Sequence, residues 1–295
     1  MELSAVYKRF NSPSKCISFL ELKRWNSTPT CPYCGSTKHS ARKNEYRYNC
    51  NSCKRSYSVL VGSIFESTKL PLPKWFMAII LMLNAKKGIS SLQLARDLGV
   101  NRKTAWYLQK RIRSAMEEKD SMLSGIIEID ETYVGGSLSN KHYFSKLKSK
   151  KYHKTGMEHK LAILGMVQRN GKVILHVLKK AWGKEIQPIL KNRIAPTSTI
   201  ITDGFGGYHN LTSWFDNHII LNHTKNKRKQ GIYHTNTIEG IWTTIKRAIM
   251  GQYHKLSVDH IQDYLNEITF KYNNRKSNDT FNLLIKSSLN TTKCR

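Results

Sequence analysis

The sequence predicts an α/β domain in its C-terminal half, preceded by a small cysteine ribbon and a helical region. Three observations carry this reading. Two C-x-x-C pairs, Cys31-Pro32-Tyr33-Cys34 and Cys50-Asn51-Ser52-Cys53, lie 15 residues apart. Helix-patterned runs follow between residues 70 and 115. From residue 125 onward, short β-branched runs mix with helical ones, as in a sheet covered by helices. A length of 295 residues allows about two domains with a real core.

The charge balance narrows the partners. Lysine and arginine number 49 against 20 acids, a formal net charge of +29, spread over the whole chain. Such an excess favours a polyanion, nucleic acid above all. The greasiest run, residues 75–83, is far too short to cross a bilayer. Met1-Glu2-Leu3-Ser4-Ala5-Val6-Tyr7-Lys8 lacks the apolar core of a signal peptide. An intracellular location is expected, with no membrane partner: cytoplasm or nucleoid in a bacterium, nucleus in a eukaryote.

Residues 1–27 read as a leading segment, and residues 28–65 as a zinc ribbon. Each C-x-x-C pair folds into a tight knuckle that presents two thiolates, and four thiolates complete a tetrahedron around one structural Zn²⁺. Gly35 suits the turn after the first pair. Tyr46-Arg47-Tyr48 and Ser56-Tyr57-Ser58-Val59 alternate like ribbon strands. A redox dithiol would not come twice, and a reducing cytosol disfavours disulfides. Cys16 and Cys294 are left as ordinary thiols.

Residues 70–115 form the helical region. Lys74-Trp75-Phe76-Met77-Ala78-Ile79-Ile80-Leu81-Met82-Leu83 is apolar nearly all round, so it is expected in a core. Ser90 is placed to cap a short helix, Gly99 to turn, and Asn101 to cap a second helix. This is a helix-turn-helix pattern. Arg102, Lys103, Lys110, Arg111 and Arg113 make its second helix basic, suited to a major groove. A plain packing hairpin would need no such charge.

Residues 114–124 mark a boundary, and a second domain spans 124–276. Its opening strand ends in Ile129-Asp130 and puts Glu128 and Asp130 on one face, Ile127 and Ile129 on the other. Residues 137–158 read as a basic loop. Arg169-Asn170-Gly171 between two apolar runs is a hairpin signal. A helix over 184–193 follows, then strands over 198–202 and 218–221. The basic run Lys225-Asn226-Lys227-Arg228-Lys229 leads to a helix carrying Glu239, and a last helix covers 257–273. Residues 277–295 are expected as a tail.

Glu239 and Lys246 are seven residues apart, about two helical turns, so they share a face. Asp130 and Asp203 each end a strand-like run. Two strand-borne aspartates and a helix-borne glutamate suit a pair of divalent ions, and such a pair catalyses in-line attack at a phosphodiester. This strand and helix order fits a ribonuclease-H-like α/β fold.

Three stretches carry a family resemblance: Ile129-Asp130-Glu131-Thr132-Tyr133-Val134-Gly135-Gly136, Thr202-Asp203-Gly204-Phe205-Gly206-Gly207-Tyr208, and His234-Thr235-Asn236 through Lys246-Arg247. Gly251-Gln252-Tyr253-His254 and Tyr272-Asn273-Asn274-Arg275 extend it. The chain resembles an insertion-sequence transposase of the DDE superfamily, close to the Merlin-type group, over roughly residues 28–276. The resemblance implies that Asp130, Asp203 and Glu239 hold two Mg²⁺ or Mn²⁺ ions. One ion would activate water and later a DNA 3′-hydroxyl; the other would stabilise the leaving oxygen. Lys246 would neutralise phosphate or place the DNA end. The implied partners are the element's terminal repeats and target DNA, with a homodimer or larger assembly pairing two DNA ends.

Some groups in that superfamily vary at the third acid, which brings Asn236 into view. Glu239 is the better ligand for a hard cation. Glu128 is a weaker second candidate because it shares the face of Asp130. Glu131 is expected to point away as a strand-edge charge, His234 to be a solvated helix cap, and Trp242 to pack in the core. Asp216 and Asp259 read as surface residues. Lys227 and Arg228 precede the Glu239 helix, which favours phosphate contact. Two other readings are weighed. A domesticated, catalytically silent DNA-binding regulator would not need the full set of acids. A nuclease without strand transfer would not need a DNA-reading module.

Overall fold

The computed structural model describes residues 2–118, 121–135, 160–208, 211–221, 231–254 and 256–291. The basic segments expected at 137–158 and 225–229, with Lys227 and Arg228, lie outside the described residues, as does Cys294. In chain order the main elements are α1 (Leu3–Arg9), α2 (Pro13–Trp25), β1 (His39–Arg42), β2 (Arg47–Cys50), β3 (Ser56–Tyr57), α3 (Leu72–Asn84), α4 (Ser91–Leu98) and α5 (Arg102–Ser114). Then come β4 (Ile126–Val134), β5 (Leu161–Gln168), β6 (Val173–Leu178), α6 (Gly183–Arg193), β7 (Thr199–Asp203), β8 (Asn217–Leu221), α7 (Asn236–Ala248), α8 (Ile261–Asn273) and α9 (Thr280–Asn290). They divide into two compact units, residues 1–117 with 274–295, and residues 118–273.

In the first unit, β1, β2 and β3 form a small antiparallel sheet. Its helical part is built around α3, whose Trp75, Phe76, Ile79, Ile80 and Met82 are buried. The leading segment carries α1 and α2. Ser12 caps α2 and Pro13 starts it, and Phe10, Phe19 and Leu20 are buried. Within the expected tail, residues 280–290 form a helix. Phe281, Leu284, Ile285, Ser288 and Leu289 are buried, the i, i+3, i+4, i+7, i+8 face of α9. The Phe281 ring lies 6.0 Å from Phe10 and 5.8 Å from Phe76. The amphipathic spacing was readable in the sequence but is short and flanked by polar residues, so it passes for a tail.

The second unit holds a five-stranded mixed sheet in the order β6-β5-β4-β7-β8. β4, β5 and β6 form an antiparallel meander, and β7 and β8 run parallel to β4 and to each other. Asn170 adopts a left-handed φ of 59° in the β5–β6 hairpin, where the Gly171 N–H donates to Gln168 O at 2.9 Å. One face buries Ile127, Ile129, Leu164, Met166 and Ile200 with Ile186 and Leu190 of α6. The other buries Ile163, Val167 and Val173 under Ile238, Ile241, Trp242 and Ile245 of α7 and Ile261 and Leu265 of α8. Both faces are covered, so the central strands read as apolar runs interrupted at few positions. Those interruptions are the residues of interest.

Candidate active site

Asp130 lies within β4, and Asp203 is the last residue of β7. The parallel register Ile127↔Ile200 and Glu128↔Ile201, continued by two residues, sets Asp130 level with Asp203 on the sheet face covered by α7. Glu239 lies in the first turn of α7, and Lys246 near its end; both are exposed. Asn236 is the first residue of that helix and also exposed.

The electrostatics place the three acids in one field. Burial holds the Asp130 carboxyl above its ordinary range, the Trp242 N–H works against that, and the charges of Asp203 and Glu239 raise it further. A cation would relieve this repulsion, and carboxylate oxygens are the donors a hard cation takes. Asp130, Asp203 and Glu239 are not gathered into a ligand cluster in this structure. Among the described residues only the four ribbon cysteines bring at least three ligand atoms all within 4.8 Å. Asp203 Oδ1 accepts from the N–H of Phe205 at 3.0 Å, Asp130 Oδ1 from the N–H of Glu131 at 2.9 Å, and Glu239 Oε1 from Thr235 Oγ1 at 3.1 Å.

Neighbouring side chains make contacts that the sequence does not show. Trp242 is a core residue, and its Nε1–H also donates to Asp130 Oδ2 at 2.7 Å. Gly165, opposite Asp130 on β5, clears the space for that indole. Glu131 is half-buried rather than a free edge charge. It accepts from the Tyr208 hydroxyl at 2.5 Å, and burial, with the charges of Asp203 and Asp130 adding, pushes it up to about 7. Glu128 is fully buried and spends both oxygens at the start of α7, so it is not presented to solvent as a ligand. His234 is half-buried in the same knot, 3.5 Å from Glu128.

In the ribbon, Cys31 and Cys53 have their sulfurs 3.7 Å apart, and Cys34 and Cys50 theirs 3.5 Å apart. Gly35 N–H donates to Cys31 O and Lys54 N–H to Cys50 O, closing two knuckles, with φ of +72° at Gly35 and +60° at Lys54. The N–H groups of Cys53 and Ser52 aim at Cys50 and bring its thiol down to about 6. Four converging sulfurs, one already inclined to ionise, have the chemistry of a structural zinc site. Around them Trp25, Tyr48 and Tyr57 pack edge-on or stacked.

Comparison with known families decides the wider identity. The model of an ISXO2-like transposase domain matches residues 122–273, the whole sheet with α6, α7 and α8. The chain belongs to the ISXO2-like transposase family. A transposase zinc-ribbon domain matches residues 12–56, which takes in the four cysteines and α2. A protein in transposable element ISH50 of Halobacterium salinarum is 27% identical over 269 residues, 88% of this chain and 90% of its own. A transposase-like protein of Haemophilus influenzae is 26% identical over 121 residues, 40% of this chain and 97% of its own.

In this transposase, Ser90 Oγ accepts from the Gln93 N–H, Gly99 closes α4 in the left-handed conformation, and Asn101 Oδ1 accepts from the Thr104 N–H at 2.8 Å to start α5. Arg102 and Lys103 are exposed at that start. Lys110 lies over the Trp106 ring at 5.9 Å. Arg111 is turned inward: its guanidinium donates to Glu66 O at 2.7 Å and lies 5.1 Å from the centre of the Trp75 ring. Arg113 is buried. The charges that make α5 basic are split between surface and interior. Among the described residues no helix is long and apolar enough to cross a membrane.

Proposed function

We propose that this transposase is a DDE enzyme: it binds the terminal repeats of its element, cuts there, and joins the freed ends to target DNA. The observation that supports the reading is that Asp130 and Asp203 stand level on adjacent parallel strands, with Glu239 on the helix that covers that sheet face. The strand order β6-β5-β4-β7-β8, a meander plus two parallel strands, supports reading the domain as ribonuclease-H-like. Two Mg²⁺ or Mn²⁺ ions bound there would activate the attacking oxygen and stabilise the leaving one.

The chain's own side chains do the rest. Asp130, Asp203 and Glu239 supply the oxygens that hold the ions. The Trp242 indole orients Asp130 so that its carboxylate keeps one direction. Lys246, two turns along α7 from Glu239, contacts a phosphate of the DNA end. Arg102 and Lys103 at the start of α5 contact the terminal repeat, with α4 and α5 acting as the helix-turn-helix, while Arg111 holds α5 in place. The zinc ribbon stabilises that reading module. Two DNA ends must be paired, which calls for at least a dimer on DNA.

The test uses the full chain, Mg²⁺ or Mn²⁺, and DNA carrying the element's ends. Asp130→Ala, Asp203→Ala and Glu239→Ala each lose cleavage and joining and keep end binding. If Asn236→Ala loses catalysis and Glu239→Ala does not, the third ligand is Asn236.

A further inference from the structure

Glu128 is an acid with no exposed surface, set in β4 two residues before Asp130. Its Oε2 accepts from the backbone N–H of Thr237 at 2.9 Å and of Ile238 at 3.1 Å. Its Oε1 accepts from Thr237 Oγ1 at 2.8 Å and from Arg169 Nη2 at 3.0 Å, with His234 Nδ1 at 3.5 Å. Those N–H groups are the unsatisfied donors of the first turn of α7, where the helix dipole is positive. Arg169 also donates to Ile232 O at 2.7 Å and His234 O at 3.3 Å, so the chain entering the helix is bound to the same knot.

A second tie lies further along the same two elements, where Trp242 donates to Asp130. The two ties have matching spans. From Glu128 to Asp130 is two strand residues, about 6.6 Å. From Ile238 to Trp242 is four helical residues, about 6 Å. Two fixed points at equal spacing set both the position of α7 along β4 and its direction. Glu239 lies between them.

We propose that Glu128, with Arg169 as its counter-charge, is a positioning residue that fixes the register of α7 on β4 and so places Glu239 against Asp130 and Asp203. It is not a metal ligand: its oxygens already accept from the helix start, the Thr237 hydroxyl and Arg169. The inference rests on the reading of those three acids as the metal site. It separates two carboxylates, Glu128 and Asp130, that share a strand face and differ in purpose.

The experiment measures Mn²⁺ binding to the zinc-loaded full chain by the electron paramagnetic resonance of free Mn²⁺, with cleavage of terminal-repeat DNA alongside. Groups that hold a ligand in place typically change metal affinity by about 10–100-fold when removed. Glu128→Gln keeps the size, but turns amide N–H toward donors. It is expected to weaken Mn²⁺ binding at least about 10-fold without lowering the number of sites, and to raise by a similar factor the Mn²⁺ needed for half-maximal cleavage. Thr237→Val removes only the hydroxyl bond to Glu128 and keeps the backbone ones, so it serves if Glu128→Gln does not fold; a smaller weakening in the same direction is expected. Loss of a whole Mn²⁺ site in Glu128→Gln makes Glu128 a ligand and overturns the inference. Unchanged affinity in both folded variants also overturns it, leaving Glu128 a stabilising cap only. A wild-type chain that binds no Mn²⁺ overturns the metal-site reading itself, and the inference with it.

Discussion

Gly165→Ala is the smallest change that tests how α7 meets the sheet. A Cβ at this position falls 2.7 Å from Ile238 Cδ1 and 2.8 Å from Trp242 Cζ2, and closer still to Trp242 Cη2. Carbon atoms rest at about 3.5–4.0 Å, so the indole must retreat by about 1 Å. Its Nε1–H now reaches Asp130 Oδ2 at 2.7 Å, and that retreat takes it out of hydrogen-bond range. Overpacking costs about 1–3 kcal/mol. The lost bond to a charged group costs about 1.5–3 kcal/mol more. Relaxation of α7 recovers part, so a loss of about 3 kcal/mol is expected. Gly240→Ala on the outer side of the same helix meets nothing within 4 Å, and should gain about 0.5–1 kcal/mol. Urea unfolding of the full chain, with hydrogen exchange in α7 peptides, reads both. Gly165→Ala within about 0.5 kcal/mol of wild type, with α7 protection unchanged, would refute the close seating of Trp242 over Asp130.

Other expectations are independent of that contact. Metal analysis should find one zinc per chain, lost in Cys50→Ser plus Cys53→Ser; full zinc in that variant sinks the ribbon assignment. Phe281→Ala should destabilise the first unit by about 3–5 kcal/mol, because its ring is buried among Phe10 and Phe76. A denaturation midpoint unmoved by that change would restore the tail reading. Glu131 is pushed up to about 7, against about 4.3 when unfolded, so the folded chain keeps a proton that the unfolded chain releases. That stabilisation is full below about pH 4 and is lost as the pH rises through about 7. Glu131→Gln, melted without Mg²⁺ or Mn²⁺, should therefore gain more over wild type at pH 8 than at pH 5. An equal difference at both values counts against the burial of Glu131.

Much of the site could be read from residue order. Asp130 and Asp203 stand out because each closes an apolar run, and the seven-residue spacing of Glu239 and Lys246 shows one helix face. The doubled C-x-x-C and the caps at Ser90 and Asn101 are local chemistry, readable without a fold. What escaped depends on long-range pairing. Glu128 looks like a spare ligand until the donors 109 and 110 residues later are known to end on it. Glu131 looks solvated until Tyr208, 77 residues on, is placed beside it. Trp242 has the periodicity of a core residue and is one; only the sheet register shows where its N–H goes. Arg111 and Arg113 count toward the basic charge of α5 by composition, but the helix turns them inward. The helix at 280–290 packs into the first unit, across the whole second unit in sequence, and its short amphipathic spacing does not tell which unit it joins.

The most direct test of the central claim is strand chemistry with DNA carrying the ends of the element. Full-length protein is incubated with that DNA and Mg²⁺ or Mn²⁺, and nicks and joined products are mapped at nucleotide resolution. The expected result is cleavage at the terminal repeats and joined products with wild type, and neither with Asp203→Asn, which still binds the ends. Tight binding of the ends by wild type with no cutting in either metal, or cutting by Asp203→Asn at the wild-type rate, would contradict it.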